Sequence, residues 1–342
     1  MTSDIPSAML SDRSYYAGHF MDLQLWQPCV LHICQRLGLV CKQVLPSLLG
    51  SYPTFILTLA SESAYEKVVM KFFGPLYDGH ASWQVERLLG HFLAKHPLPI
   101  PSPAILFEGR LDADWRFLVF EYIPGVSIGQ IRQQLSQQVL KSVAQSMGRF
   151  MHTLHLVTTT EMPTLVGDPP VRNWDSFVSF LQRQRADCLS NHQQWHNLPA
   201  HLLGQLPDFI LRPEQLVDLS SPPHLVHADL TADHLLGRLI PPSAGTNVGA
   251  GWDSLAIIDW GDARLGNLLY ELVALHVDLF AGDSHLLHTC LQSYGMPEFY
   301  RHDFPRKALS MLLLHQFPMP ASFYAPHSDV DTLDQLAEKL YA

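Results

Sequence analysis

The 342-residue sequence predicts an α+β fold, with a strand-rich first third followed by a helix-rich remainder that short strands interrupt. Two observations carry this expectation. Around Pro124-Gly125, β-branched and aromatic runs give way to apolar residues at helical spacing. In composition, 47% of residues are hydrophobic and only 16% are charged, which excludes a disordered chain and supplies a sizeable core. At about 150 residues per domain the length suggests two lobes. The turn at Pro124-Gly125 divides them into 1–123 and 124–342.

Residues 21–37 carry Leu23, Trp26, Val30, Ile33 and Leu37 at helical spacing and end at Gly38, a helix stop. Pro28 predicts that this helix is kinked there or begins there. Residues 45–60 read as two extended pieces around the turn Gly50-Ser51-Tyr52-Pro53. Residues 67–73 (KVVMKFF) read as a strand, and 80–96 as a helix with a stripe of Trp83, Leu88, Leu89, Phe92 and Leu93. Four prolines between Pro97 and Pro103 make an extended connector, and 115–122 is a further strand. Beyond Gly125, residues 128–157 read as a pair of helical segments and 158–222 as mixed helix and loop. Short strands are expected at 224–226, 235–240 and 255–258, with a loop at 241–251 and helices over the last 70 or so residues.

Net charge and cysteine content narrow the partners. The formal net charge is −10 with no basic block, which gives no reason to expect nucleic-acid binding. No apolar run approaches the roughly 18–20 residues that span a bilayer, so no membrane is expected. The Met1 segment lacks a cationic start and a long apolar core, and the five cysteines are irregularly spaced. The expected setting is cytoplasmic, with reduced thiols. Cys188, His192 and His196 fall at i, i+4 and i+8, a stripe able to hold zinc. The polar surroundings and the lack of a fourth ligand favour a solvated histidine-rich face instead. The oligomeric state cannot be read from the sequence.

The chemistry lies in residues 225–237, LVHADLTADHLLG, and 256–266, AIIDWGDARLG. Each places an aspartate, Asp229 and Asp259, just after a short apolar strand, thirty residues apart. Such a carboxylate pair suits phosphoryl transfer, one aiming an attacking hydroxyl and the other holding Mg²⁺ against nucleotide phosphates.

These stretches resemble the aminoglycoside phosphotransferase family, which includes choline-kinase-like enzymes and has a bilobal protein-kinase-like fold with a small β-rich N-lobe and a larger helical C-lobe. The catalytic loop H-x-D-x-x-x-x-N is similar to His227-Ala228-Asp229 running to His234, and the magnesium loop to Ile258-Asp259-Trp260-Gly261-Asp262-Ala263. The resemblance implies an ATP- and Mg²⁺-dependent transfer of the γ-phosphate to a small hydroxylated acceptor. Asp229 would be the catalytic base, and Asp259 and His234 the metal-holding pair. His234 departs from the family's asparagine, which opens three options: a ligand favouring Mn²⁺, a phosphate contact, or ligation by neighbouring Asp233. Lys71, or Lys67 on the same strand face, would meet the phosphates, paired with Glu86. Glu121, Tyr122 and Ile123 would line the adenine hinge, and Gly50-Ser51 would cover the phosphates. His227 and His155 would be structural, and Arg264 and Asn267 would orient the magnesium loop. Trp174 and Trp195 would lie where an acceptor sits. The acidic balance points weakly to a cationic acceptor. The alternative class is a regulatory pseudokinase, motivated by His234. A protein kinase is disfavoured, since no activation segment follows Asp259.

Overall fold

Five antiparallel strands organise the first unit: β1 (Cys41–Pro46), β2 (Thr54–Leu59), β3 (Lys67–Phe73), β4 (Ile105–Arg110) and β5 (Arg116–Glu121), in the order β1-β2-β3-β5-β4. The computed structural model describes residues 5–47, 50–157, 162–165, 173–241, 251–327 and 329–342. The first unit comprises 1–97, 101–124 and 258–262, and the second 98–100, 125–257 and 263–342. The division is therefore not the single cut expected at 123/124. The five residues around Asp259 join the first unit because the turn at Trp260–Asp262 packs on the helix Gly79–Leu93.

One face of the sheet is covered by α1 (Leu23–Leu37). Asp22 caps it by accepting from the Gln24 amide, and Gly38 ends it at φ 69°, a left-handed conformation that glycine adopts without Cβ strain. The helix runs on through Pro28 and begins at Leu23. Its fully buried Trp26 packs 4.8 Å from Phe72, 4.9 Å from Trp115 and 6.3 Å from Phe55, ring centre to ring centre. Period-two alternation in β3 puts Val68, Met70 and Phe72 on this α1 face. Lys71 and Phe73 therefore fall on the opposite face, with α2 (Gly79–Leu93).

Strand β1 starts four residues before its expected position, and β4 lies where the sequence suggests only a connector. Both are edge strands with much of their surface exposed, so neither shows clear apolar alternation.

The second unit holds two small sheets. Strands β6 (Val126–Ser127), β8 (Leu235–Ile240) and β9 (Gly251–Ile257) form one, while β7 (His224–Val226) pairs with β10 (Arg264–Gly266) in the other. Around them lie α3 (Gln137–His155), α4 (Asp175–Trp195), α5 (Leu268–Val277), α6 (Ser284–Tyr294), α7 (Phe304–Leu313) and α8 (Leu333–Tyr341). Helix α3 packs along α6, where a Cβ on Gly148 would collide with the Cys290 carbonyl. Most of the expected loop at 241–251 lies outside the described residues. No helix among the described residues is long and apolar enough to cross a membrane.

Replacing Trp26 by Ala removes the ring that joins α1 to the sheet. We predict a loss of about 3–5 kcal/mol of first-unit stability. Denaturant unfolding followed by tryptophan fluorescence checks this, and an unchanged midpoint contradicts it.

Candidate active site

In the first unit the site is built on the buried face of β3. Lys71 is 6% exposed, and its Nζ donates to Glu86 Oε2 at 2.8 Å and to Asp259 Oδ1 at 2.7 Å. Glu86 is 4% exposed because its position on α2 turns it toward the sheet. Burial pushes the lysine toward its neutral form, but the Asp259 and Glu86 carboxylates outweigh this and hold its pKa above the ordinary value. The ammonium also lies 5.3 Å from the Tyr52 ring centre and 5.1 Å from that of Phe73. A buried charge of this kind is tolerated only while paired, and removing one partner typically costs about 3–5 kcal/mol.

Asp259 sits at φ 65°, an uncommon value for a non-glycine residue and a form of backbone strain that concentrates at functional sites. The adjoining turn is held against α2, where Gly261 approaches Ser82. The Tyr52 hydroxyl lies 2.8 Å from Ser82 Oγ and donates to the Tyr77 carbonyl at 2.7 Å. Lys67, by contrast, sits 5.3 Å over the Tyr122 ring, so Lys71 is the lysine paired with Glu86.

The other first-unit expectations fare unevenly. Gly50 and Ser51 form an exposed turn, and the Tyr16 hydroxyl donates to the Ser51 carbonyl at 2.7 Å. The Glu121 amide donates to the Ala104 carbonyl at 3.0 Å, and its carboxylate accepts from the Ala104 amide at 2.8 Å. That amide is committed to the sheet edge.

In the second unit, β7 delivers the loop carrying Asp229. Ala228 is fully buried at φ 69°, a second left-handed non-glycine residue. His234 Nδ1 lies 2.6 Å from the Asp229 carbonyl and 3.6 Å from its Oδ2. With that nitrogen donating, the imidazole holds the main chain and faces the carboxylate of the expected base. Asp233 does something else: its Oδ1 accepts from Ser127 Oγ at 3.0 Å, tying β6 to the loop. His227 is fully buried, and its Nδ1 accepts from the Asp229 amide at 3.4 Å.

Two acids that sequence reasoning missed brace this loop. Glu271 on α5, fully buried, accepts from the amides of His227 at 3.1 Å and Ala228 at 2.8 Å. Burial pushes its carboxyl up to about 7, against the pull of the two amides and with the Asp229 charge adding to the rise. Asp278 accepts from the Ala232 amide. The signal for Glu271 was present in the sequence: it is the one acid in the otherwise apolar run LLYELVAL.

Several expectations need correction. The stripe of Cys188, His192 and His196 is not a solvated face, since Cys188 and His192 are buried. His192 bonds to Asn197 Oδ1 and the Leu313 carbonyl, to which Cys188 also donates. The pair staples α4 to the end of α7. Trp174 is buried and donates to the Ser221 carbonyl, and Trp195 packs edge-on against His192, so both are structural. Asn267 caps α5 by accepting from the Tyr270 amide, and donates to the Leu216 carbonyl. Arg264 bonds to Gln316 rather than to the magnesium loop. His155 is buried against Tyr294, as expected of a structural histidine.

Glu271 gives a prediction with a definite sign. Its folded pKa lies above the ordinary 4.5, so its stabilising contribution is complete below that value and is lost as pH rises through about 7. Glu271→Gln cannot titrate and cannot accept from both amides with equal strength. The variant should be less stable, and the gap in melting temperature from wild type should narrow between pH 5 and pH 8. A gap that widens with pH contradicts this.

The phosphotransferase enzyme family model, APH, matches residues 51–305. Among curated proteins, the lysine-specific demethylase JMJ21 of Arabidopsis thaliana is 24% identical over 209 residues, which is 54% of this chain but only 22% of that protein. Among solved structures, the GDP and kanamycin complex of APH(2")-IIia superposes with a TM-score of 0.61 at 16% identity, covering 92% of this chain and 96% of that one. The gentamicin complex of APH(2")-IIa gives 0.53 at 20% identity, with coverage of 87% and 97%. These likenesses establish the fold, and the family match, spanning well over half the sequence and both motif loops, establishes the relationship: the chain belongs to the phosphotransferase enzyme family.

Proposed function

We propose that the protein is an ATP-dependent phosphotransferase that moves the γ-phosphate to a hydroxyl of a small molecule. The observation that carries this reading is the buried Lys71 held between Glu86 and Asp259. A cation so fixed is preorganised for phosphate oxygens and need not be reoriented when a nucleotide arrives. Glu86 fixes the ammonium from α2. Gly50 and Ser51 would cover the phosphates, while the Glu121 carbonyl, Tyr122 and Ile123 would meet the adenine. In the second unit, Asp229 would accept the proton of the acceptor hydroxyl and aim its oxygen. His234 bonds the Asp229 carbonyl and Glu271 the amides of His227 and Ala228, so the loop that carries this base is held on both sides of it.

The family implies a divalent cation. Among the described residues no cluster of three or more His, Cys, Asp or Glu side chains is preassembled for one. This fits a cation that arrives with the nucleotide and takes most of its ligands from phosphate and water. Asp259 supplies the hard oxygen such an ion requires. His234 holds the Asp229 carbonyl through Nδ1, and an imidazole ligand at this position would suit Mn²⁺ better than Mg²⁺. When bound, the cation would neutralise charge on the phosphates. Asp233 is not favoured as a ligand, because its carboxylate is engaged by Ser127.

The acceptor is read as a small polyhydroxylated molecule, since structural neighbours are complexed with kanamycin and gentamicin. The net charge of −10 is a poor guide to the acceptor's own charge, because such fields are screened beyond about 8 Å at physiological salt. A cytoplasmic setting agrees with five free cysteines.

Asp229→Asn should lower phosphoryl transfer at least about 100-fold while leaving ATP affinity within threefold, because Asp229 touches the acceptor and not the nucleotide. Steady-state transfer and nucleotide-binding calorimetry check this. Equal activity of the two proteins across a broad acceptor panel would sink the enzyme reading. His234→Asn should reduce the ratio of Mn²⁺- to Mg²⁺-supported rates. An unchanged ratio contradicts a metal-facing role for His234.

A further inference from the structure

Strand β10 places Arg264 opposite Val226 on β7, three residues before Asp229. Its guanidinium lies 4.2 Å over the Phe180 ring and 5.8 Å from that of Tyr270, and Nη2 donates to Gln316 Oε1 at 3.1 Å. Among the described residues it pairs with no carboxylate. Its Nε is buried without a hydrogen-bond partner. Buried guanidinium N–H groups normally find acceptors, and leaving one unmade costs more than a typical hydrogen bond contributes.

The surroundings do not explain this orphan donor. Tyr270 stacks on buried His315 at 4.5 Å, and that ring lies by the Ala228 main chain. Burial and the nearby Arg264 charge push His315 down to about 3, so it stays neutral and offers Arg264 no counter-charge. The aromatic faces and Gln316 hold the guanidinium plane, and its Nε keeps an unmet N–H in this buried setting. Planar forks of this kind match carboxylate or phosphate.

We propose that Arg264 forms an anion site beside the catalytic loop, taking a carboxylate or phosphate group. The anion is either a substituent of the acceptor or a separate small anion. The charge that selects the ligand here is positive, opposite in sense to the chain's net charge. The proposal rests on the phosphotransferase reading only for its catalytic consequence; binding of the anion stands apart from it.

The test uses inorganic phosphate as probe, with the nucleotide site saturated by a non-hydrolysable ATP analogue so that Lys71 does not contribute. Phosphate should raise the melting temperature of the wild type in a saturable way. It should raise that of Arg264→Lys less, and that of Arg264→Gln not at all. All three proteins should retain the stabilisation given by the ATP analogue, which separates loss of the anion site from loss of folding or of the nucleotide reading. Kinetics then assign the source. Phosphate competitive with the acceptor, with Arg264→Gln raising the acceptor KM about tenfold and leaving kcat within threefold, makes the anion part of the acceptor. Phosphate that changes kcat without competing makes it a separate ligand. Equal phosphate shifts in wild type and Arg264→Gln, or no shift in either, overturn the site.

Discussion

The architecture of the first unit turns on keeping one largely buried cation, Lys71, charged. Its two carboxylate partners come from sequence positions 15 and 188 residues away, on a helix and on a turn after a strand of the other unit. Removing either carboxylate leaves the ammonium with one partner where the fold provides two, and breaking a buried pair costs a large share of a domain's net stability. The requirement explains other features of the unit. Helix α2 must present Glu86 inward, Asp259 must adopt a left-handed backbone, and Gly261 must let the turn approach Ser82. The Trp26 cluster on the opposite face keeps β3 in register with its neighbours, and register decides which side of the sheet receives Lys71.

The second unit solves a related problem with the opposite charge. Asp229 sits on a short loop after β7 that has few backbone partners of its own. The loop is therefore fixed through its main chain: Glu271 takes the amides before Asp229, Asp278 the amide of Ala232, and His234 the Asp229 carbonyl. The histidine that stands where the resemblance implies asparagine directs a donor at that carbonyl. Burial of Glu271 makes this bracing sensitive to pH, because the acid that anchors the loop titrates near neutrality.

The parts of this account legible in the sequence are those where local pattern and function coincide. KVVMKFF showed both a strand and its lysine, and the two aspartate loops stood out because each ends an apolar strand. Pattern could not separate Lys71 from Lys67, since both share a strand face; the position of Glu86 in three dimensions does. The start of edge strand β1, edge strand β4 and the three-residue β10 are not legible in the sequence, because exposed or very short strands carry almost no periodic signal. The stripe of Cys188 and His192 misled for a related reason. Polar residues on a helix read as solvated, whereas here they bond to carbonyls exposed at the end of another helix. For Arg264 the sequence suggests a loop-orienting role, because the Phe180 ring and the Gln316 amide beside it come from distant parts of the chain.

The central claim is that Lys71 acts as part of a coupled unit with Glu86, and a double-mutant cycle on ATP-analogue affinity tests it most directly. Calorimetric affinities of Lys71→Met, Glu86→Gln and the double variant would be compared with the wild type. If the pair acts as one device, each single change should weaken binding by about tenfold or more, and the double variant should be little worse than either, a coupling of at least about 1.4 kcal/mol. Additive losses, or a Glu86→Gln variant that binds as tightly as the wild type, would contradict it.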